Sequence, residues 1–378
     1  MQRFIYLFHC QIKAASALAR LRLSNIFPVR LRRLNHITLG LKPALYLAFL
    51  LFASVGNACA EGKPITYGAE LEGFLYPYAL EHFLFPSQGV DVQMGYMDVA
   101  PKGHPNGHTV VLMHGKNFCG ATWESTIAVL SIDGYRVIVP DQVGFCSSTK
   151  PEHYQYSFQQ LAYNTMALLK HLGVTRFILV GHSTGGMLAS RFALMYPEAV
   201  EKLVMVNPIG LEDWKALGVP GRTVDQWYDR ELKLSADGLR QYEKKVYYGG
   251  RWKAEYERWV DMLVGLNQGP GHKLVAWNSA LTYDMIFTQP VVYEFPLLKV
   301  PTTLMLGDAD TTAIGSDIAS PEVKAKIGHY KQLGKKVIKT IPQGRLIEFP
   351  GFGHAPQIED PAMFNKALLD ELARVKAN

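Results

Sequence analysis

The chain has 378 residues, with 39 Lys/Arg against 33 Asp/Glu and a formal net charge of +6. That excess sits at one end: residues 1–42 hold eight Lys/Arg and no Asp or Glu, whereas residues 61–378 carry 31 basic and 33 acidic side chains, a net charge of −2. The near-balance excludes the basic footprint of a nucleic-acid or polyanion partner, and the length after residue 60 suits one large domain or two ordinary ones.

The opening segment reads as a leader. Its basic stretch is followed by the apolar run from Ala44 to Val55 and then by Gly56-Asn57-Ala58-Cys59-Ala60. A basic start, a short apolar centre and an A-x-A end describe a secretory signal, with cleavage expected after Ala60 and export to the periplasm or the medium. The basic region is long for a signal, which leaves a membrane-anchored leader as the alternative. Cys59 stands near a lipoprotein-like position, but Gly56 occupies the place of an expected aliphatic side chain, which argues against lipidation. The run is short of the about 20 residues a membrane span takes, so no stable insertion is expected once the leader is removed.

Two cysteines remain, Cys119 and Cys146. In an exported protein they could pair, because both follow neighbouring predicted strands; two buried free thiols is the default expectation. They do not resemble a metal site, which takes more ligands at tighter spacing.

From about residue 88 the chain alternates strands and helices. Residues 90–99 read as extended, and 109–113 and 136–140 as buried strands. The spacing of Phe158, Leu161, Ala162, Thr165, Leu168, Leu169 and Leu172 predicts a helix over 158–172, with Ser157 and Gln160 as a capping box. A strand over 176–180 runs into Gly181-His182-Ser183-Thr184-Gly185, followed by a helix over 185–195 and a strand over 202–206. Short apolar runs between helices predict a parallel sheet covered on both faces.

That rhythm stops near Ile209. Helix starts follow near Thr223, Ser235 and Arg251, with a further helix over 273–287, and this stretch holds Trp214, Trp227, Trp252, Trp259 and Trp277. Strands resume at 302–306 and 345–349, and a closing helix covers 361–376. The plan is a leader at 1–60, an α/β core from 61–208 and 291–378, and a helical cap at 209–290. Repeats and low-complexity tracts are absent.

The chemistry points to Ser183. A serine hydroxyl is a weak nucleophile unless it is held open to substrate and paired with a base. In G-x-S-x-G, Gly181 and Gly185 let two backbones nearly touch, so the turn lifts the serine above the sheet edge. The next helix then aims its N-terminal amides at the reacting carbonyl. The expected base is His354, in the loop after the last strand. His182 adjoins Ser183, but neighbours on such a turn point apart; His114 is expected to pack near the oxyanion loop, and His104 and His108 to be solvated. Asp310, three residues beyond Gly307, is the expected partner of the imidazole, with Asp308 bracing the turn. The expected oxyanion donors are the backbone N–H groups of Thr184 and Lys116. The Lys116 side chain is expected either to face solvent or to add positive charge at the mouth.

The order Ser183, Asp310, His354, each after a strand of one parallel sheet, resembles the α/β-hydrolase superfamily across roughly residues 88–378. The loop Pro140-Asp141-Gln142-Val143-Gly144-Phe145 and the segment Gly353-His354-Ala355-Pro356 add to the resemblance. It implies an eight-stranded, mostly parallel doubly wound sheet, a helical cap inserted after the sixth strand, and acyl transfer to water through an acyl-enzyme. Haloalkane dehalogenases and epoxide hydrolases of that superfamily carry aspartate at the nucleophile position. Ser183 points instead to esters, lactones, amides or carbon–carbon bonds beside a carbonyl.

The cap region holds eleven Lys/Arg and eleven Asp/Glu, which gives a substrate no net charge to read. Its tryptophans, with Tyr228, Tyr242, Tyr247, Tyr248, Tyr256 and Tyr283, are expected mostly to form the cap's own core and in part to line an apolar pocket. The expectation is a serine hydrolase that takes a small, mostly apolar carboxylic ester as a small-molecule substrate and needs no metal or organic cofactor. The alternatives are a lactonase, iminopeptidase or carbon–carbon hydrolase with the same triad, or a ligand-binding protein that keeps the fold.

Overall fold

A computed structural model of the protein describes residues 65–375, so the leader expectation lies outside the described residues. Eight strands form one sheet: β1 (Glu81–Ser87), β2 (Val90–Val99), β3 (Thr109–Met113), β4 (Arg136–Pro140), β5 (Phe177–His182), β6 (Val200–Val206), β7 (Thr302–Gly307) and β8 (Gly344–Phe349). The core helices are α1 (Glu124–Ile132), α2 (Phe158–His171) and α3 (Thr184–Met195). The cap follows β6 and is built from α4 (Val224–Glu231), α5 (Ala236–Val246), α6 (Glu257–Gln268) and α7 (His272–Thr288). The core then closes with α8 (Tyr330–Val337) and α9 (Pro361–Leu372). Among the described residues no helix is long and apolar enough to cross a membrane.

The strand order is β1-β2-β4-β3-β5-β6-β7-β8. The β1–β2 and β2–β4 pairs are antiparallel and all the others parallel. This is the mostly parallel, capped architecture that the resemblance implies. β3 sends the chain outward to β4, and the next core strand, β5, returns to the other side of β3. The loops after β3 and β5 therefore part at a crevice above the sheet, where an α/β sheet places its ligands.

Through the central strands, β3 to β7, both faces of the sheet are dry, which is why those strands read as unbroken apolar runs. Val111, Met113, Leu179, Leu203 and Leu304 point into the layer shared with Phe158, Leu168 and Phe192. Val110, Leu112, Ile178, Val180 and Val204 point into the other, with Ile127, Phe364 and Leu368. Each such side chain, fully buried, contributes about 1.5–3 kcal/mol.

Several local expectations are corrected. The Ser157 side chain does accept the Gln160 N–H at 3.0 Å, but the Gln160 amide does not return to it. It donates instead to Asn164 at 2.8 Å and Ser87 at 3.3 Å, because β1, which no sequence pattern announced, lies beside it. A full capping box occurs at α4, between Thr223 and Gln226. The helix expected near Arg251 begins as α6 at Glu257, and α9 ends at Leu372 rather than 376.

Cys119 and Cys146 form a disulfide, contrary to the default of two free thiols. β3 and β4 are parallel neighbours, so the loops that leave them emerge side by side and bring the two Cα atoms to 5.7 Å. Closing a loop across a sequence separation of 27 stabilises the fold by about 3–4 kcal/mol in the chain-entropy account.

Candidate active site

Ser183 leaves the end of β5 with φ of 58°, in the left-handed region, and α3 starts at the next residue. The flanking glycines are sterically required. A Cβ on Gly185 would lie 2.5 Å from the His114 carbonyl oxygen, and one on Gly181 would lie 2.2 Å from that of Gly185. The turn is thus wedged against the end of β3, and the serine hydroxyl stays at the crevice.

His354 comes from the loop after β8 and Asp310 from the loop after β7. The Ser183 hydroxyl donates to His354 Nε2 at 2.8 Å. The His354 Nδ1–H donates to Asp310 Oδ2 at 2.6 Å. This fixes the tautomer: the nitrogen facing serine is the acceptor. Asp310 takes further hydrogen bonds from Asn207 Nδ2 at 2.9 Å and from the Thr312 N–H and Oγ1 at 2.8 and 2.6 Å. Its carboxylate is therefore pinned on both oxygens. All three side chains are almost fully buried. Asp308, by contrast, turns to the Gly351 N–H at 2.6 Å and to Lys331 at 3.2 Å, contacts that hold its carboxyl below the usual aspartate range.

The other histidines sort by their contacts. His114 Nδ1–H donates to the Gly115 carbonyl at 2.8 Å and its Nε2 accepts the Gln142 N–H at 3.0 Å, so it ties the loop after β3 to the loop after β4 as a neutral ring, its pKa lowered by burial. His104 is exposed, whereas His108 is not simply solvated, since it pairs with Glu201 at 3.1 Å.

His182 has a part that the sequence reading did not give it. It does point away from the Ser183 hydroxyl, but its Nε2–H donates to the backbone carbonyl of His354 at 2.8 Å. Burial and the neighbouring His354 ring push its pKa well down, so it stays a neutral donor. A second restraint comes from the cap. The His354 and Ala355 amides donate to the carbonyls of Val246 and Tyr247 at the end of α5, and the Tyr247 ring stacks on the imidazole with centroids 5.2 Å apart. No local sequence pattern signals either restraint, since both join segments more than a hundred residues apart.

Lys116 and Thr184 line the cavity at Ser183, and neither backbone amide is hydrogen-bonded within the described residues. The Lys116 side chain does not go to solvent. Its ammonium donates to Ser279 Oγ at 2.5 Å, lies 3.5 Å from Glu231 and sits 3.6 Å above the Tyr283 ring. The cavity is closed by Ile209, Tyr242, Tyr247, Tyr283, Ile286 and Ile314. The cap aromatics divide as expected: Tyr248 stacks on Tyr256 within the cap, while Tyr242, Tyr247 and Tyr283 roof the serine.

Comparison with known proteins agrees with this fold. The alpha/beta hydrolase fold family matches residues 108–249. A probable hydrolytic enzyme of Pseudomonas aeruginosa PAO1, known as a crystal structure, is 60% identical, with 82% of this chain and 99% of that chain covered and a TM-score of 0.81. A candidate carbamate hydrolase of Pantoea ananatis is 27% identical over 74% of this chain and 93% of its own. A thermophilic esterase of Thermogutta terrifontis, 21% identical over 79% of this chain and 100% of that chain with a TM-score of 0.57, shares the fold.

Proposed function

This chain belongs to the α/β-hydrolase superfamily, and from that premise we propose that it cleaves a small, mostly apolar carboxylic ester, with Ser183 as nucleophile, His354 as general base and acid, and Asp310 as the residue that orients the imidazole. The observation that carries the reading is the unbroken hydrogen-bond chain from the serine hydroxyl through the imidazole to a fully engaged carboxylate.

As Ser183 Oγ attacks the ester carbonyl, its proton passes to His354 Nε2, and the imidazolium that forms is held by Asp310. The negative charge that gathers on the carbonyl oxygen is met by the unpaired amides of Thr184 and Lys116, each worth about 10²–10³ in rate. Collapse breaks the ester C–O bond and His354 returns the proton to the departing alcohol. Water, deprotonated by the same imidazole, then releases the acid and restores the serine. Every proton in this cycle moves through His354 Nε2, so no step calls for a metal or organic cofactor.

The turnover of p-nitrophenyl acetate by Ser183→Ala tests the reading. Loss of about 10⁶ in kcat is expected if the triad acts as a unit; turnover equal to the native enzyme contradicts it. The leader composition and the disulfide both support export, because disulfides persist in oxidising compartments. N-terminal sequencing of the exported form should start at Glu61.

A further inference from the structure

The cavity around Ser183 is tight. The space open to the centre of a water molecule is about 20 Å³, room for only one or two waters. It can hold a reacting carbonyl but no chain of any length, so the remainder of the substrate must occupy neighbouring space. Two kinds of space adjoin it.

Wide openings lined by charged groups including Arg222, Arg230, Lys245 and Asp317 lie past Tyr242 and Tyr283. Past Lys116 and Asn117 is a chamber walled by Phe145, Leu239, Leu263, Leu266 and Val275, with Lys150, Glu231, Asn267 and Ser279 adding polar groups; it shares Glu231 and Leu239 with the first of those openings. Its space open to water centres is about 50 Å³, enough for roughly four waters and so for about four carbon atoms of a chain.

The chemistry decides which part of an ester goes where. The departing oxygen must lie beside His354 Nε2 to receive its proton, and His354 lines the catalytic cavity but neither the chamber nor the wide openings. The carbonyl oxygen must lie at the Lys116 amide, and Lys116 lines the catalytic cavity and the chamber but neither of the wide openings. An acyl chain that leaves the carbonyl on the oxyanion-loop side therefore runs towards the chamber. The Lys116 ammonium ends on Ser279 and Glu231, which line the chamber, and over the Tyr283 ring, so its aliphatic stem runs along the boundary between the catalytic cavity and the chamber with its charge met by Glu231. Ser279 Oγ donates to Glu231 at 2.5 Å and completes that arrangement.

We propose that the chamber walled by Phe145, Leu239, Leu263, Leu266 and Val275 is the acyl-chain subsite, that the Lys116 stem runs along its boundary with the catalytic cavity, and that the enzyme takes esters of short straight-chain acids of about four to six carbons. This rests on the acyl-transfer reading above.

The test is the ratio of kcat/KM for p-nitrophenyl hexanoate to that for the acetate, measured within one preparation so that a partly folded variant does not distort it. Val275→Phe fills the chamber and should lower the ratio about tenfold or more, the scale of one misfitted methylene or larger. Leu263→Ala enlarges it and should move the best chain towards octanoate. A parallel series of acetate esters with lengthening alcohols should keep its profile in both variants. An acyl ratio unmoved by both substitutions overturns the proposal, as does a shift confined to the alcohol series, which would make the chamber a leaving-group site. A native enzyme that turns over no ester, with Ser183 unreactive, would instead remove the acyl-transfer reading itself.

Discussion

In the sheet, β5 and β7 are buried along their whole length, and the side chains leaving their ends are set by backbone that has nowhere to move. In the cap, α4 buries only Trp227 and Glu231, and α5 only Leu239, Glu243 and Val246. The reacting groups all come from the first region. The roof, most of the wall of the side chamber and one of the two restraints on the His354 backbone come from the second. The difference teaches that the cap is more than a cover: the end of α5 holds the loop that carries the base, so the energetics of a partly exposed region reach the reaction centre.

The largest effect belongs to the sheet. Asp310→Asn should reduce kcat for p-nitrophenyl acetate by about 10⁴, because an amide no longer fixes the imidazole with its acceptor nitrogen towards serine. A loss below tenfold would break the claim that the reacting groups are those at the ends of the sheet strands.

The next is a property of the cap. Glu243 is buried, and burial, with repulsion from Glu257 and partial relief from Arg240, pushes its pKa up to about 8. Between its ordinary value and about 8 the unfolded chain has released the proton that the folded chain keeps, so stability falls as pH rises through that window and levels off above it. Glu243→Gln should therefore gain roughly 3–5 kcal/mol over the native protein at pH 9 and little at pH 4. Urea unfolding at the two pH values measures this; equal gains at both would mean that the carboxyl is not titrating. Ester turnover at pH 7 should survive, which would sharpen the division between the regions.

The smallest effect lies where the two regions meet. His182→Ala removes the core's hydrogen bond to the His354 carbonyl but leaves α5 in place. A fall of about 10² in kcat with KM nearly unchanged is expected if the imidazole drifts by about an ångström. Part of the rate should return in His182→Gln, whose amide can donate to the same carbonyl. A parallel loss in both variants would mean that the ring acts by packing alone.

The elements most legible in the sequence are those where a single physical rule dominates. Strands with two dry faces read as apolar runs, and the Thr223 and Ser235 caps announced α4 and α5. Of the triad, each member follows a strand end, which is a local signal. The strand β1 was missed because its outward face is exposed, with His82, Leu84 and Pro86 in solvent, so it lacks the apolar signature of the others. His182, Asn207 and Tyr247 were missed for a different reason. Their partners lie 172, 103 and more than a hundred residues away, and only the closed sheet brings them together. Lys116 was open to two readings from sequence because its ammonium is held by Ser279 and Glu231, on two different cap helices.

The most direct measurement is mass spectrometry of the protein after brief exposure to a fluorophosphonate. One adduct on Ser183 is expected, absent from Ser183→Ala and formed far more slowly in His354→Ala. A native protein that stays unlabelled, or that reacts at another residue while residue 183 remains free, contradicts the claim that a buried imidazole makes this hydroxyl a nucleophile.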